Sequence, residues 1–286
     1  MLAGVSESDA QVVEDLAAGR AIVPISRARS MIDGVIGVRV EDGNITALSA
    51  RRCGLQELPD ELAGLAQLRW LDVSSNTLRW LPAGLAELGA LEELYVDDNR
   101  LVELARTPRL RVLDASNNPA LGAVAVGDGL EFLYVAHCGL DALPALPATL
   151  RYLNADDNRL ASVSVPDGVV ELRLARNRLG ALPHAPGARE LHLRGNFLRE
   201  LSPALGTLRR LEHLVLRDNT ISVLPDEVAA LAELRHLDVR TNLLGTIPPA
   251  VADLARLRKL DARWNPLRGP TAWADALRAR GCLVYA

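Results

Sequence analysis

The sequence predicts an α/β fold. It is a right-handed solenoid, a horseshoe with an eleven-strand parallel sheet on its concave side. Short helical turns are expected on the convex side of the end repeats, and extended segments in the middle repeats. Three observations predict this. The phrase L-x-x-L-x-L-x-x-N-x-L recurs eleven times, starting at Ile45, Leu68, Leu91, Leu110, Leu130, Leu150, Val169, Ala188, Leu211, Leu234 and Leu257. The starts are 23, 23, 19, 20, 20, 19, 19, 23, 23 and 23 residues apart, a period that marks stacked supersecondary units rather than one globular core. The ninth position is Asn in nine copies, with Cys53 and Cys138 in the other two.

Each element follows from local chemistry. Residues 1–44 are expected to cap the array, because an end repeat would expose a sheet edge and an open apolar core. Within them, 6–19 reads as a helix that Ser6 can cap and Gly19 can end. Val35 to Ala50 alternates like a strand pair around Asp42-Gly43. Residues 45–268 hold the eleven repeats. The first, fourth, sixth and eleventh positions point inward, and the segment around the fourth to sixth forms a short strand. The ninth-position Asn can bond backbone groups in the turn after that strand. The 23-residue repeats contain runs such as P-D-E-L-A-G-L-A-Q (59–67) and P-D-E-V-A-A-L-A-E (225–233), with room for a helical turn. The shorter repeats hold P-A-L-P-A-T (144–149) and P-H-A-P-G-A (183–188), which should be extended. Residues 269–286 are expected to close the array with a helix over 271–281, ended by Gly281, and an apolar tail, C-L-V-Y (282–285).

Bulk properties exclude several classes. A net charge of −4 argues against nucleic-acid binding. Residues 1–143 carry 12 Arg against 21 Asp and Glu, whereas residues 144–286 carry 20 Lys and Arg against 15 acids; a partner could feel that dipole. No apolar stretch approaches the ~20 residues of a membrane span. The start, MLAGVSESDAQ, lacks a basic segment followed by an apolar run, so no signal peptide is expected. Three cysteines are sparse and odd in number. They read as reduced structural thiols, and the expected location is cytoplasmic unless a specialised route exports the chain.

These features resemble the bacterial leucine-rich-repeat proteins along essentially the whole chain. G-V-R-V-E-D-G-N-I-T-A-L-S (37–49) resembles the entry cap before such arrays. R-W-N-P-L (263–267) with R-G-C-L-V-Y (280–285) resembles the ending of free-standing bacterial members. L-P-A-L-P-A-T-L-R-Y-L-N-A-D-D-N-R-L (143–160) is similar to the short repeats of effectors from enteric pathogens. Some of those effectors append a ubiquitin-ligase domain, and no ligase chemistry can be carried over to these residues. The resemblance implies a solenoid that binds proteins.

Side chains alternate along a strand, so the third, fifth and seventh positions of each copy face the concave side. Trp70, Tyr95, Phe132, Tyr134 and Tyr152 fall on this face. They are five of the ten aromatic residues in the chain, and rings of this kind anchor interfaces. The alternative is that large β-formers simply stack on one another. Arg194, Arg217, Arg240 and Arg263 occupy the seventh position of four successive repeats. Unit charges about 4.8 Å apart repel by roughly 0.9 kcal/mol even in water, so either Asp218, Asp238 and Asp261 or an acidic partner should compensate. Arg173, His192, His213 and His236 complete the face.

The expected function is recognition of a protein or peptide, one that can carry an acidic segment, through these residues, with no nucleic acid and no membrane. The alternative is an accessory or catalytic protein acting on a small or peptidic substrate through the His- and Arg-rich C-terminal half. A metal could bridge His192, His213, His236 and Asp238 in principle, but no H-E-x-x-H-like spacing supports it. No metal and no cofactor are expected. A Ser116–His137–Asp157 line lacks a G-x-S-x-G elbow, so no catalytic residue is assigned and the chain is not expected to be an enzyme.

Overall fold

A computed structural model describes residues 2–25, 33–104, 107–269 and 271–286. It divides into two compact units, 1–149 and 150–286. Part of the 1–44 segment, residues 26–32, lies outside the described residues.

The first unit opens with helix α1 (Glu7–Ala17), whose N–H at Asp9 donates to the Ser6 hydroxyl at 3.1 Å. Ala18 and Gly19 then take left-handed conformations that end it. A strand not expected from the sequence, β1 (Ile22–Pro24), runs parallel to β2 (Ile36–Glu41). Strands β2 and β3 (Asn44–Ser49) form the expected antiparallel pair. Asp42 and Gly43, with φ of 49° and 78°, make the two-residue turn that an Asp-Gly pair favours. At Gly37 a Cβ would meet Ile25 Cγ2 at 2.6 Å, so only glycine lets Ile25 pack there. Strands β4 (Trp70–Asp72), β5 (Glu93–Tyr95), β6 (Val112–Asp114) and β7 (Phe132–Tyr134) follow, each parallel to the one before.

The second unit repeats the pattern with β8 (Tyr152–Asn154), β9 (Glu171–Arg173), β10 (Glu190–His192), β11 (His213–Val215), β12 (His236–Asp238) and β13 (Lys259–Asp261), again parallel. Helix α2 (Ala272–Ala279) and the tail strand β14 (Leu283–Tyr285) close it, β14 pairing with β13. Among the described residues, the terminal segments thus add β1, β2 and β14 to the repeat strands β3 to β13.

Register is uniform. Leu71 pairs with Leu94, Leu94 with Leu113, Leu172 with Leu191 and Leu214 with Leu237. These fourth-position leucines are at most 1% exposed, and burying each contributes about 2 kcal/mol. Short 3₁₀ turns occupy Asp60–Gly64, Ala83–Glu87, Pro203–Thr207, Asp226–Ala230 and Pro249–Asp253. All lie in 23-residue repeats, where the sequence allows a helical turn. The P-A-L-P-A-T and P-H-A-P-G-A runs carry no helix.

Two backbone devices turn the chain after each strand. The eighth position of every copy is left-handed. In the first unit these are Arg52, Ser75, Asp98, Asn117 and His137; in the second, Asp157, Arg176, Gly195, Asp218, Thr241 and Trp264, with φ between 51° and 67° throughout. That single dihedral breaks strand alternation and rotates the ninth residue inward. The ninth residue then satisfies the turn. Asn196 Oδ1 accepts the Leu179 N–H at 3.0 Å, while Nδ2 donates to the carbonyls of Leu174 and Leu193 at 2.9 and 3.0 Å. The same pattern holds at Asn99, Asn118, Asn177, Asn219, Asn242 and Asn265. Cys138 substitutes as a donor, its thiol reaching Ala115 O at 3.1 Å. Burial pushes that thiol up to about 11, so it keeps its proton. Cys53, Cys138 and Cys282 are all buried thiols.

Candidate binding face of the strands

The outward positions of the first unit gather rings and acids. Trp70 and Tyr95, neighbours across β4 and β5, have ring centroids 6.0 Å apart at 52°. The Tyr95 hydroxyl donates to Glu93 Oε2 at 3.0 Å. Phe132 and Tyr134 are half-buried on β7. Trp70 departs from the expectation of a solvent-facing anchor. It is 8% exposed and packs with Ile25 and Ala47 in a small cluster against which Tyr95 rests. Its Nε1 is buried without a hydrogen-bond partner. Trp70 is therefore a packed neighbour of Tyr95 and not a solvent-facing ring.

Acids flank these rings. Asp72 is 1% exposed and accepts from both the N–H and the hydroxyl of Ser74, whose hydroxyl oxygen in turn accepts from Arg51 Nη1 at 2.8 Å. Asp114 accepts the Ser116 N–H at 3.0 Å. Burial, then repulsion from Asp114, Asp72 and Asp98, pushes Asp97 up to about 7, although Arg51 opposes it. Burial also raises Asp114. Desolvated, mutually repelling carboxylates of this kind favour a cationic or proton-donating neighbour.

The second unit is richer in cations. Tyr152 is half-buried on β8. Arg173 Nε donates to Glu171 Oε1 at 2.6 Å, and His192 Nε2 lies 3.2 Å from Glu190 Oε2. His213 and His236 face each other with Nδ1 atoms 2.9 Å apart. Burial first, and then His213, lowers the His236 pKa. The arginine column is largely neutralised from within. Arg194 Nε reaches Asp218 at 2.7 Å. Arg240 grips Asp238 with Nε and Nη2 at 2.9 and 2.7 Å, and Arg263 grips Asp261 in the same way. Arg217 differs. Its nearest carboxylate, on Asp238, is 4.0 Å away, and its buried Nε has no hydrogen-bond partner. Arg263 is exposed, with its guanidinium over the rings of Tyr285 and Trp264 at 5.1 and 5.2 Å.

The fifth-position acids have a local task that sequence reading missed. Asp72, Asp114, Asp238 and Asp261 each accept the N–H of the seventh residue of the same copy. Ser116 and Asp157, two residues of the line considered above, each have partners of their own within their units. Ser116 bonds Asp114, and Asp157 is held by Arg176, whose Nη2 lies 2.7 Å from Oδ2. Glu171 and Glu190 were also missed. The signal was present: they are adjacent in the third-position column, one strand apart.

A family model described as leucine rich repeat matches residues 186–244 and 209–267. Human podocan-like protein 1 is 36% identical over 172 residues, covering 52% of this chain and 33% of that protein. The chain thus spans about a third of the length of that relative. Among solved structures, YopM from Yersinia enterocolitica is 29% identical with a TM-score of 0.59, covering 85% of this chain and 55% of that one. A chain of the Drosophila Toll–Spatzle complex is 22% identical with a TM-score of 0.64, covering 77% of this chain and 35% of that one.

Two expectations are corrected by these relatives. Mouse podocan, bovine opticin and human mimecan, 32%, 32% and 30% identical over 54%, 36% and 36% of this chain, are secreted extracellular matrix proteins, which conflicts with the cytoplasmic location expected from cysteine usage and the N-terminal residues. Buried structural thiols such as Cys138 serve the turn in any compartment, so they were a poor guide. The curated relatives are animal proteins and do not support a bacterial affiliation. The expectation that the chain is not an enzyme agrees with its relatives, which are non-enzymatic. The chain carries leucine-rich repeats and has the leucine-rich-repeat solenoid fold.

Proposed function

We propose that this chain is a protein- or peptide-recognition module that binds through the outward face of its strands, the concave side in such a solenoid. Residues 1–44 and 269–286 serve as caps on the repeats 45–268. The observation that carries the reading is Arg217. It sits in a column whose other guanidiniums hold carboxylates at 2.7 Å, yet its own nearest acid is 4.0 Å away. An acidic group on a partner would complete it.

In the first unit, Tyr95, Phe132 and Tyr134 supply apolar anchoring, with Trp70 packed against Tyr95. In the second, Tyr152, Arg173, His192, Arg194, His213, Arg217, His236, Arg240 and Arg263 supply polar contacts and orientation. The Toll–Spatzle complex, a leucine-rich-repeat chain bound to a protein ligand, supports a protein as the ligand class.

The test uses a partner captured by cross-linking from the source tissue or culture and then purified. Tyr134→Ala should weaken binding by at least roughly 2 kcal/mol, chiefly through faster dissociation. Arg217→Ala should slow association and flatten its salt dependence. Arg79→Ala, exposed beside Trp80 outside the strand columns, should do neither. If Arg79→Ala weakens binding as much as the other two, the strand face is not the binding surface. An unchanged salt slope for Arg217→Ala would remove the acidic segment from the proposal.

A further inference from the structure

We propose that Glu171, Glu190 and His192 form a binding site for a divalent transition cation of the zinc class. One ligand atom from each of these residues lies within 4.8 Å of the other two. The arrangement follows from register. Glu171 and Glu190 are paired across β9 and β10, so their side chains leave the same face about 4.8 Å apart. His192 lies two residues beyond Glu190 on the same strand and therefore points the same way.

The donor spacing suits a small tetrahedral ion. With bonds of about 2.1 Å, ligand atoms around tetrahedral zinc are roughly 3.4 Å apart. His192 Nε2 and Glu190 Oε2 are already 3.2 Å apart. The Glu171 ligand atom lies within 4.8 Å of both, within the reach of a side-chain rotation. Arg173 holds Glu171 Oε1 at 2.6 Å and orients the carboxylate as an outer-sphere partner does.

The donor chemistry selects the ion. One imidazole with two carboxylates matches zinc and its transition-metal neighbours. Calcium takes six to eight oxygens and magnesium keeps an octahedral water shell, which this set does not match. Three protein ligands leave a fourth position open to water or to an incoming carboxylate. His213 is next in the column, paired with Glu190 in register, but its Nδ1 is engaged by His236 at 2.9 Å. The site stands independently of whether the face binds a protein.

The experiment is calorimetric titration of the full chain with zinc chloride in a non-chelating buffer, repeated with cobalt to read the tetrahedral absorption bands. We expect one zinc per chain and a rise in melting temperature. Glu190→Gln and His192→Ala should each weaken zinc by roughly tenfold or more, with metal-free melting temperatures near wild type. Glu171→Gln gives a second, gentler probe if either of these fails to fold. His213→Ala and His184→Ala, the latter exposed beside Asp167, should bind zinc within about twofold of wild type. The proposal is overturned if the wild-type chain binds no zinc at millimolar concentration. It is equally overturned if folded His192→Ala or Glu171→Gln binds zinc like wild type, or if His213→Ala abolishes binding while Glu190→Gln does not.

Discussion

His213 and His236 stand opposite each other on neighbouring parallel strands, with ring centroids 4.5 Å apart and Nδ1 atoms 2.9 Å apart. One Nδ1 must donate and the other accept, so the contact requires at least one neutral ring. Protonating both rings replaces a hydrogen bond with like-charge repulsion, and Lys259, Arg258 and Arg235 already add positive field there.

That geometry sets a pH dependence. Burial first, and then His213, lowers the His236 pKa in the folded chain. Between that lowered value and the ordinary value near 6.5, the unfolded chain holds a proton that the folded chain does not, so stability rises with pH. The contribution is present above about pH 6.5 and is lost as pH falls through the folded value. His236→Gln should flatten this part of the profile, measured as melting temperature between pH 7.5 and 5. Parallel profiles for the two proteins would show that the pair carries no linkage.

Asp97 gives the opposite slope. Its folded pKa of about 7 lies above the ordinary carboxylate value, so between about pH 4 and pH 7 the folded chain holds a proton that the unfolded chain lacks. Stability therefore falls as pH rises through this window. Asp97→Asn should stabilise the chain at pH 8 by on the order of 2 kcal/mol and change it little near pH 4. Urea unfolding at the two pH values measures this, and a loss of stability at pH 8 would contradict the assignment.

The asparagine ladder predicts a graded cost. Asn177 accepts from Leu160 N at 3.0 Å and donates to Ala155 O and Leu174 O at 2.8 and 3.2 Å. Asn177→Ala leaves the buried Leu160 N–H unmet and removes one of two asparagine donors from Ala155 O and Leu174 O, which Asn158 and Asn196 still serve, and should cost about 2 kcal/mol. Asn177→Cys should cost less, because a thiol can still donate to the neighbouring carbonyl as Cys138 does to Ala115 O, although the Leu160 N–H stays unmet. Denaturant midpoints order the three proteins. If the cysteine variant is no better than alanine, the donor half of the ladder contributes little.

Much of this was legible before any coordinates. A repeat phrase with period-two alternation states which residues of a strand point inward, so the buried leucine column and the outward columns could be read directly. Asn at the ninth position announced its turn, and Asp42-Gly43 announced its hairpin. The eighth position carried no such mark. Arg52, Thr241 and Trp264 are poor left-handed formers by type. They adopt that conformation because the Asn ladder and the paired strands on either side hold it, which is a property of stacking rather than of local preference.

The sequence by itself determined the fold class, the repeat boundaries and the sidedness of each side chain, because those depend on spacing along a single chain segment. Tertiary structure alone decided which outward residues meet and which are covered. Trp70 was expected at the surface by alternation, but Ile25, some 45 residues earlier in the chain, lies against it. Arg217 and Arg240 read identically in their column, yet only Arg240 closes on Asp238. Glu171, Glu190 and His192 meet only because β9 and β10 pair in register. The repeat period aligns the columns, as it does Glu171 with Glu190, but the side-chain rotations that decide contacts between strands about twenty residues apart are not encoded in it.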